Sequence, residues 1–325
     1  MDVTHRGILR LAALALAWTA GVASAQSFPD KSIRLVVAYV PGGVTDVLAR
    51  ALAQKLTENV GKPVVVDNRP GVNGIIAAEL VMKAPADGYT LWVADTGHLA
   101  ISPALRAKLP YDPLKDFTPI TQLMRQDFFL VVNAAVPANT LRELVDLSKS
   151  RPGGLFYGSV GSGSVHHLGF ERMKLLTGAN FLHVPYKGNA QMGPSLLAGE
   201  IHMTVGSITG VMQQLKAGTL RALAIAASKR NAQMPDVPTF AESGVPGIEI
   251  NIGVGLLAAA GTPREIVQRL RSEVVKAVGD PDLRRRYDAL GFEIVASAPE
   301  EYSEKIRADL QQYRKIVSDT AVRAE

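Results

Sequence analysis

The chain is 325 residues long, which allows about two domains, each with a hydrophobic core of its own. It has no cysteine, and that excludes disulfides, thiolate metal sites and lipid attachment at an N-terminal cysteine. Its 35 Lys+Arg and 30 Asp+Glu leave a net charge of +5, scattered apart from Arg284-Arg285-Arg286, with no nucleic-acid signature.

Residues 1–25 read as a secretory leader. Arg6 and Arg10 form its positive start, Leu11 to Ala23 its apolar stretch, and Ala23-Ser24-Ala25 a small-x-small cleavage site. Gln26 is then the expected mature N-terminus. The apolar stretch is shorter than the ~20 residues of a spanning helix, and no later segment is apolar enough to cross a bilayer. The expectation is a monomer of the bacterial periplasm without membrane insertion, resting on its cores rather than on disulfides.

The apolar run Ile33 to Val40 reads as a buried strand, and Val47, Leu48, Ala51, Leu52 and Leu56 mark an amphipathic helix. Between them lies Tyr39-Val-Pro-Gly-Gly-Val-Thr-Asp46. Gly42 and Gly43 let the backbone approach a guest closely, and the new helix adds unpaired N–H groups and the positive end of its dipole. That is the geometry of an anion site. Thr45 and Asp46 either face the guest or cap the first turn. Tyr39 either walls the pocket or packs.

Pro63 to Asp67 is predicted as a second strand, Asn68 to Gly74 as a loop, Ile75 to Lys83 as a helix and Tyr89 to Ala94 as a third strand. This alternation means a doubly wound, mainly parallel sheet. Asp95-Thr96-Gly97-His98 at the third strand's end is then expected beside Gly42-Gly43, since ligands collect at the carboxyl ends of such strands. The prolines at 103, 110, 113 and 119 predict an irregular covering segment. The run Phe128 to Val132 predicts a strand crossing between lobes.

The pattern then restarts. Thr140 to Ser150 is a helix with a Thr140/Glu143 capping box. Leu155 to Tyr157 is a strand, Gly158 to Ser164 a glycine–serine turn and Val165 to Leu176 a helix. Phe181–Val184, Ile201–Val205 and Arg221–Ala226 are strands, with helices over Met192–Leu197 and Ile208–Lys216 between them. Ile248 to Ala260 crosses back. Helices from Pro263 to Ala277, from Pro281 to Leu290 and onward from Pro299 complete the chain, with a short strand at Phe292–Val295.

The Gly158–Ser164 turn offers hydroxyls and N–H groups that suit a carboxylate, through Ser159, Gly161, Ser162, Gly163 and Ser164. It lacks the Gly-Lys-Ser/Thr ending of a P-loop and the G-x-G-x-x-G spacing. No serine has glycine both two before and two after, so there is no nucleophile elbow. His166 and His167 are neighbours and cannot form the i, i+4 pair of a zinc helix. His98, His167 and His183 read as structural, with His98 also placed at the cleft. No metal and no cofactor are expected.

Several motifs in this order resemble the Bug receptors, periplasmic solute-binding proteins of tripartite tricarboxylate transporters. They are Gly42-Gly-Val-Thr-Asp46 with Ala49-Arg50, Asn68-Arg-Pro-Gly71, Asp87-Gly-Tyr-Thr-Leu91, Tyr111-Asp-Pro-Leu-Lys-Asp-Phe117, Tyr157-Gly-Ser159 with His167-Leu168, and His183-Val-Pro-Tyr-Lys-Gly188. Leu220 to Ala224 and Pro235 to Thr239 complete the set. The resemblance implies an α/β, two-lobed flytrap that holds a small carboxylate in its cleft, largely through backbone amides. It also implies a membrane permease or a sensor protein as partner. An envelope enzyme acting on a small carboxylate is the competing class.

The expected division is lobe 1 over 26–124 plus 253–300, lobe 2 over 125–252, and a C-terminal helix over 301–325. The chain departs from the family where an acidic residue is frequent, at Gly206, where Trp is frequent, at Gly253, and where Pro is frequent, at Ala259. The first two changes imply more room and no place for an ammonium group, hence a ligand other than an amino acid. Gly206 therefore joins the expected ligand-binding set.

Overall fold

The Val- and Ile-rich run Ile33–Val37 forms β1, buried along its length except at Arg34, as the centre of a parallel sheet requires. The structure is a computed structural model that describes residues 28–106, 108–320 and 322; the expected leader and its cleavage site lie outside the described residues. After β1 come α1 (Val44–Val60), β2 (Val64–Asn68), α2 (Ile75–Met82) and β3 (Thr90–Asp95). β1 pairs in parallel with β2 and β3, so the expected βαβαβ unit forms.

A wide helical turn over Gly97–Ile101 leads into the short α3 (Ser102–Leu105), and β4 then runs from Phe117 to Asn133. β4 is the shared element. Its first part, to Asp127, pairs antiparallel with β9 (Asn251–Ala259), which in turn pairs with β3. From Phe128 onward it lies between β7 (Met203–Ser207) and β8 (Leu220–Ile225) in the second lobe.

The second lobe is built from α4 (Leu141–Ser150), β5 (Leu155–Ser159), α5 (Val165–Thr177), β6 (Phe181–Pro185), α6 (Asn189–Ala198), β7, α7 (Ile208–Lys216) and β8. β5 pairs in parallel with β6 and β7. The chain returns through β9 and closes with α8 (Arg264–Val278), α9 (Pro281–Ala289), β10 (Glu293–Ile294) and α10 (Pro299–Asp319). The strand order is β2-β1-β3-β9-β4-β7-β5-β6, with β8 and β10 also on β4. Each lobe thus has three parallel strands with an antiparallel strand beside them, β9 next to β3 in lobe 1 and β4 next to β7 in lobe 2.

Each lobe has a core on both sheet faces. In lobe 1, Leu48, Leu52 and Leu56 of α1 meet Val267, Leu270 and Val274 of α8 on one face. Trp92, Tyr111 and Phe117 pack against α2 on the other. In lobe 2, α4 and α5 cover one face and α6 and α7 the other. The C-terminal helix α10 belongs to both: Tyr302 and Ile306 enter a lobe 1 core, while Leu310, Tyr313 and Ile316 enter a lobe 2 core.

The irregular segment expected over 103–119 is partly regular. Pro103 sits at the second residue of α3, where the wide turn before it runs on into the helix. Pro119 lies inside β4, where the register against β9 shifts immediately after it and absorbs the missing donor. Rather than only covering the sheet, the segment packs Ala104, Leu105 and Leu114 against the lobe 2 core. The Thr140 hydroxyl caps α4 by accepting from Glu143 N–H at 3.1 Å, but the Glu143 carboxylate reaches one residue further back, to Asn139 N–H at 2.8 Å.

Candidate functional site

Gly42 turns the chain out of β1 with φ +85°, a conformation that favours glycine. Its N–H donates to Asp46 Oδ2 at 2.9 Å. Asp46 also accepts from Arg50 Nε at 3.0 Å and from Asn68 Nδ2 at 2.8 Å. Asn68 Nδ2 donates to the Tyr39 carbonyl at 3.0 Å as well. Burial acts to raise the Asp46 carboxyl, but these hydrogen bonds outweigh it and hold it below the usual carboxylate range. Asp46 therefore fastens the loop from inside.

Gly43 is the cap of α1, in extended conformation, and its N–H reaches Val40 O at 3.4 Å. Behind it, the N–H groups of Val44 and Thr45 meet no protein acceptor among the described residues, as is usual for a first helical turn. Both residues line the cleft.

The matching turn of lobe 2 is built the same way. Ser159 is fully buried; its Oγ accepts from Gly161 N–H at 3.1 Å and lies 2.6 Å from His183 Nε2. Gly163, at φ +74°, donates its N–H to His167 Nδ1 at 3.0 Å, and a Cβ there would lie 2.7 Å from Leu105 Cδ1. Ser164 caps α5 by accepting from His167 N–H at 3.3 Å, and His167 stacks on His183 with centroids 3.8 Å apart. His167 and His183 hold the turn.

A third helix joins them. Ser207 caps α7 by accepting from Gly210 N–H at 3.4 Å. In all three helices the residue two positions after the cap faces the same cavity: Thr45 after Gly43, His166 after Ser164 and Thr209 after Ser207. Three positive dipole ends thus converge from both lobes.

The end of β3 supplies the floor. Asp95 accepts from the Tyr39 hydroxyl, and its Oδ1 lies 2.9 Å from His98 Nδ1. Burial acts to raise the Asp95 carboxyl, but His98 and the Tyr39 hydrogen bond hold it below the usual range. The Tyr39 phenol is pushed up by burial and by the Asp95 charge beside it. Thr96 Oγ1 accepts from Gly253 N–H at 2.9 Å, which ties β3 to β9.

The cleft has two chambers. One of about 680 Å³ is lined by Thr96, Gly97, His98 and Ser102 of lobe 1 and by Ser162, Gly163 and Ser164 of lobe 2. The other, of about 500 Å³, runs from Thr45 past Gly206 into lobe 2. Tyr39, Asp95, Val160, His166 and Ile252 border both. Along one edge the lobes touch: Thr209 Oγ1 donates to Leu290 O at 3.4 Å, an oxygen that also accepts from Gln126 Nε2 of β4 at 2.8 Å.

Of the expected residues, Tyr39, Thr96, Gly97, His98, Ser162, Gly163 and Ser164 line the first chamber, and Thr45 and Gly206 the second. Gly42, Gly43, Asp46, Ser159 and Gly161 stand behind the lining, where they shape the loops. The expectation that the Gly42 and Gly43 amides point at a guest is corrected: Asp46 and Val40 take them.

In the sequence His166 stands out only as half of a rejected zinc pair, and nothing there places it at the cleft. It is 5% exposed, its Nδ1 has no hydrogen-bond partner, and burial pushes its imidazole down to about 4, so it is neutral. The signal that could have found it is its place after Ser164, equivalent to that of Thr45 after Gly43. Among the described residues, no cluster of three His, Cys, Asp or Glu could hold a metal, and no helix is long and apolar enough to cross a membrane.

Residues 48–322 match the family described as the tripartite tricarboxylate transporter family receptor. The chain is similar to the protein BugT of Bordetella pertussis, with 33% identity over 94% of this chain and 95% of that one. It also resembles an R. palustris protein solved with adipate, at 35% identity and TM-score 0.75, covering 91% of this chain and 99% of the other. MatC from Rhodopseudomonas palustris, solved with bound malate, matches at 31% identity and TM-score 0.72 over 89% and 100%. A chain matched over most of its length, with this two-lobed architecture, belongs to the Bug-type solute-binding receptors of the tripartite tricarboxylate transporter family.

Proposed function

We propose that the chain is a periplasmic receptor that binds a small organic acid in the inter-lobe cleft and presents it to a membrane permease or a sensor. The observation that carries this reading is the convergence of three helix N-termini on one cavity, through Thr45, His166 and Thr209. Unpaired amides at such ends suit a carboxylate, and charge-assisted hydrogen bonds are the strong ones. Asp95 is the one carboxylate among the described residues lining the two chambers, and Tyr39 and His98 occupy it. The adipate and malate of the related structures support the ligand class. Contacts from both lobes favour the closed form over the open one, which is what a permease or sensor can read.

A thermal-shift screen with mono- and dicarboxylates, amino acids and amines tests this reading. An acid at a hundred times its Kd stabilises the fold by about 2.7 kcal/mol through mass action. Thr45→Glu, which sets a carboxylate at the mouth, abolishes the shift and leaves the far-UV spectrum unchanged. A panel in which no acid raises the midpoint, or in which the added acid is chemically converted, overturns the reading.

A further inference from the structure

The two chambers of the cleft differ in chemistry, and the difference bears on what the ligand carries besides its carboxylate. The second chamber carries Thr45, Gln126, Ser207 and Thr209 where the lobes meet, and the amides of Asn189 and Gln214 on α6 and α7. Beyond them it passes between α6 and α7 against Met192, Leu196, Leu197, Val205, Val211 and Leu220. The Thr204 hydroxyl in that wall is already engaged, donating to Gly158 O at 2.9 Å. No Lys or Arg lines this chamber among the described residues; Arg106 borders the other one.

Two glycines keep the passage open. A Cβ on Gly206 would lie 2.7 Å from Val211 Cγ1, so any side chain there displaces a wall residue. A Cβ on Gly193 would meet nothing within 4 Å and would stand in free space beside the lining. The volume of about 500 Å³ falls in the range of small-molecule pockets.

We infer that the ligand is a monocarboxylic acid with an apolar tail, its carboxylate held by the N-termini of α1, α5 and α7 and its tail inserted between α6 and α7. This rests on the reading of the cleft as an acid site. A second carboxylate pushed into the chamber would meet mainly apolar walls, with the neutral amides of Asn189 and Gln214 and no cation, and burying a charge without a counter-charge is costly. A methylene gains by leaving water for the same walls. A dicarboxylate would instead have to extend through the other chamber toward Arg106.

The test is calorimetric titration of the full mature chain with butanoate, hexanoate and octanoate, and with malate and adipate. Affinity rises about fourfold per methylene from butanoate to octanoate if the tail is buried, and octanoate binds at least tenfold tighter than either diacid. Gly193→Leu, whose added side chain enters the chamber, weakens octanoate at least tenfold, with urea unfolding confirming an intact fold. Affinity that is flat or falls with chain length, or binding confined to the diacids, overturns the inference and leaves the acid reading standing. Absence of binding by every acid overturns both.

Discussion

The Tyr39 hydroxyl donates to Asp95 Oδ2 at 2.5 Å, and so joins the loop after β1 to the end of β3 at the wall between the two chambers. The pair solves an electrostatic problem: an ionised carboxylate lines a cleft read as an anion site, and its charge is turned toward Tyr39 and His98. Because the folded Asp95 lies below its ordinary value, its contribution to stability is present above about pH 4 and is lost as pH falls through the folded value. Tyr39→Phe removes one donor to a charged acceptor. It lowers stability at pH 7 by about 1.5 kcal/mol and moves acid unfolding to higher pH. Urea titrations between pH 3 and pH 7 check both.

Asp46 supports the site without touching it. Asp46→Ala leaves the Gly42 N–H without its acceptor, takes from the Asn68 amide one of its two acceptors, and leaves Arg50 only its bond to Asn68 Oδ1. The loss is about 2 kcal/mol, and ligand affinity falls because the Gly42–Thr45 loop is no longer held. Denaturant unfolding and calorimetric titration measure the two effects. Unchanged stability with lost binding would instead place Asp46 in direct contact with the ligand.

His166 predicts a pH dependence of its own. It is neutral when folded, pushed down to about 4 by burial from an ordinary value of 6.5. Between those values the unfolded chain binds the proton and the folded chain does not, so stability is full above about pH 6.5 and declines toward pH 4. The decline attributable to this one ring is on the order of 3 kcal/mol. His166→Phe flattens most of the slope. His202, which burial and Arg151 also lower, contributes to the part that remains, while Asp127 and Asp309, which burial raises, act in the opposite sense. A slope unchanged by His166→Phe contradicts a buried neutral ring.

The doubly wound pattern of each lobe was legible because hydrophobic runs and glycine turns are local signals. β1, α1 and β3 lie within a few residues of where periodicity places them, and α7 spans the predicted Ile208–Lys216. The crossing role of β4 was readable from its apolar run, whereas its start at Phe117 was hidden by Pro119. The cleft was legible only in outline. Sequence marks a cap such as Gly43 or Ser164, but which first-turn side chain faces inward depends on where the other lobe stands. Gly42, Asp46 and Ser159 carried the right motifs and turned out to build the loops, whereas His166 reached the cavity just past the glycine–serine turn, and Ser207 and Thr209 from a helix end that no motif announced. The apolar chamber was invisible because it arises from how α6 lies beside α7, a distance no local pattern encodes.

The helix α10 acts as a splint across the joint. Its 21 residues span about 30 Å, with Tyr302 and Ile306 bound into one half and Leu310, Tyr313 and Ile316 into the other. A wide gape would tear Leu310 or Ile316 out of its socket, at roughly 1.5–3 kcal/mol for each side chain exposed. The jaws of this receptor are therefore restricted to a shallow swing. Across the opposite edge the halves meet through Thr209 and Leu290 at 3.4 Å and through Lys229 and Glu293 at 3.4 Å, contacts at the surface that can part without disturbing the splint.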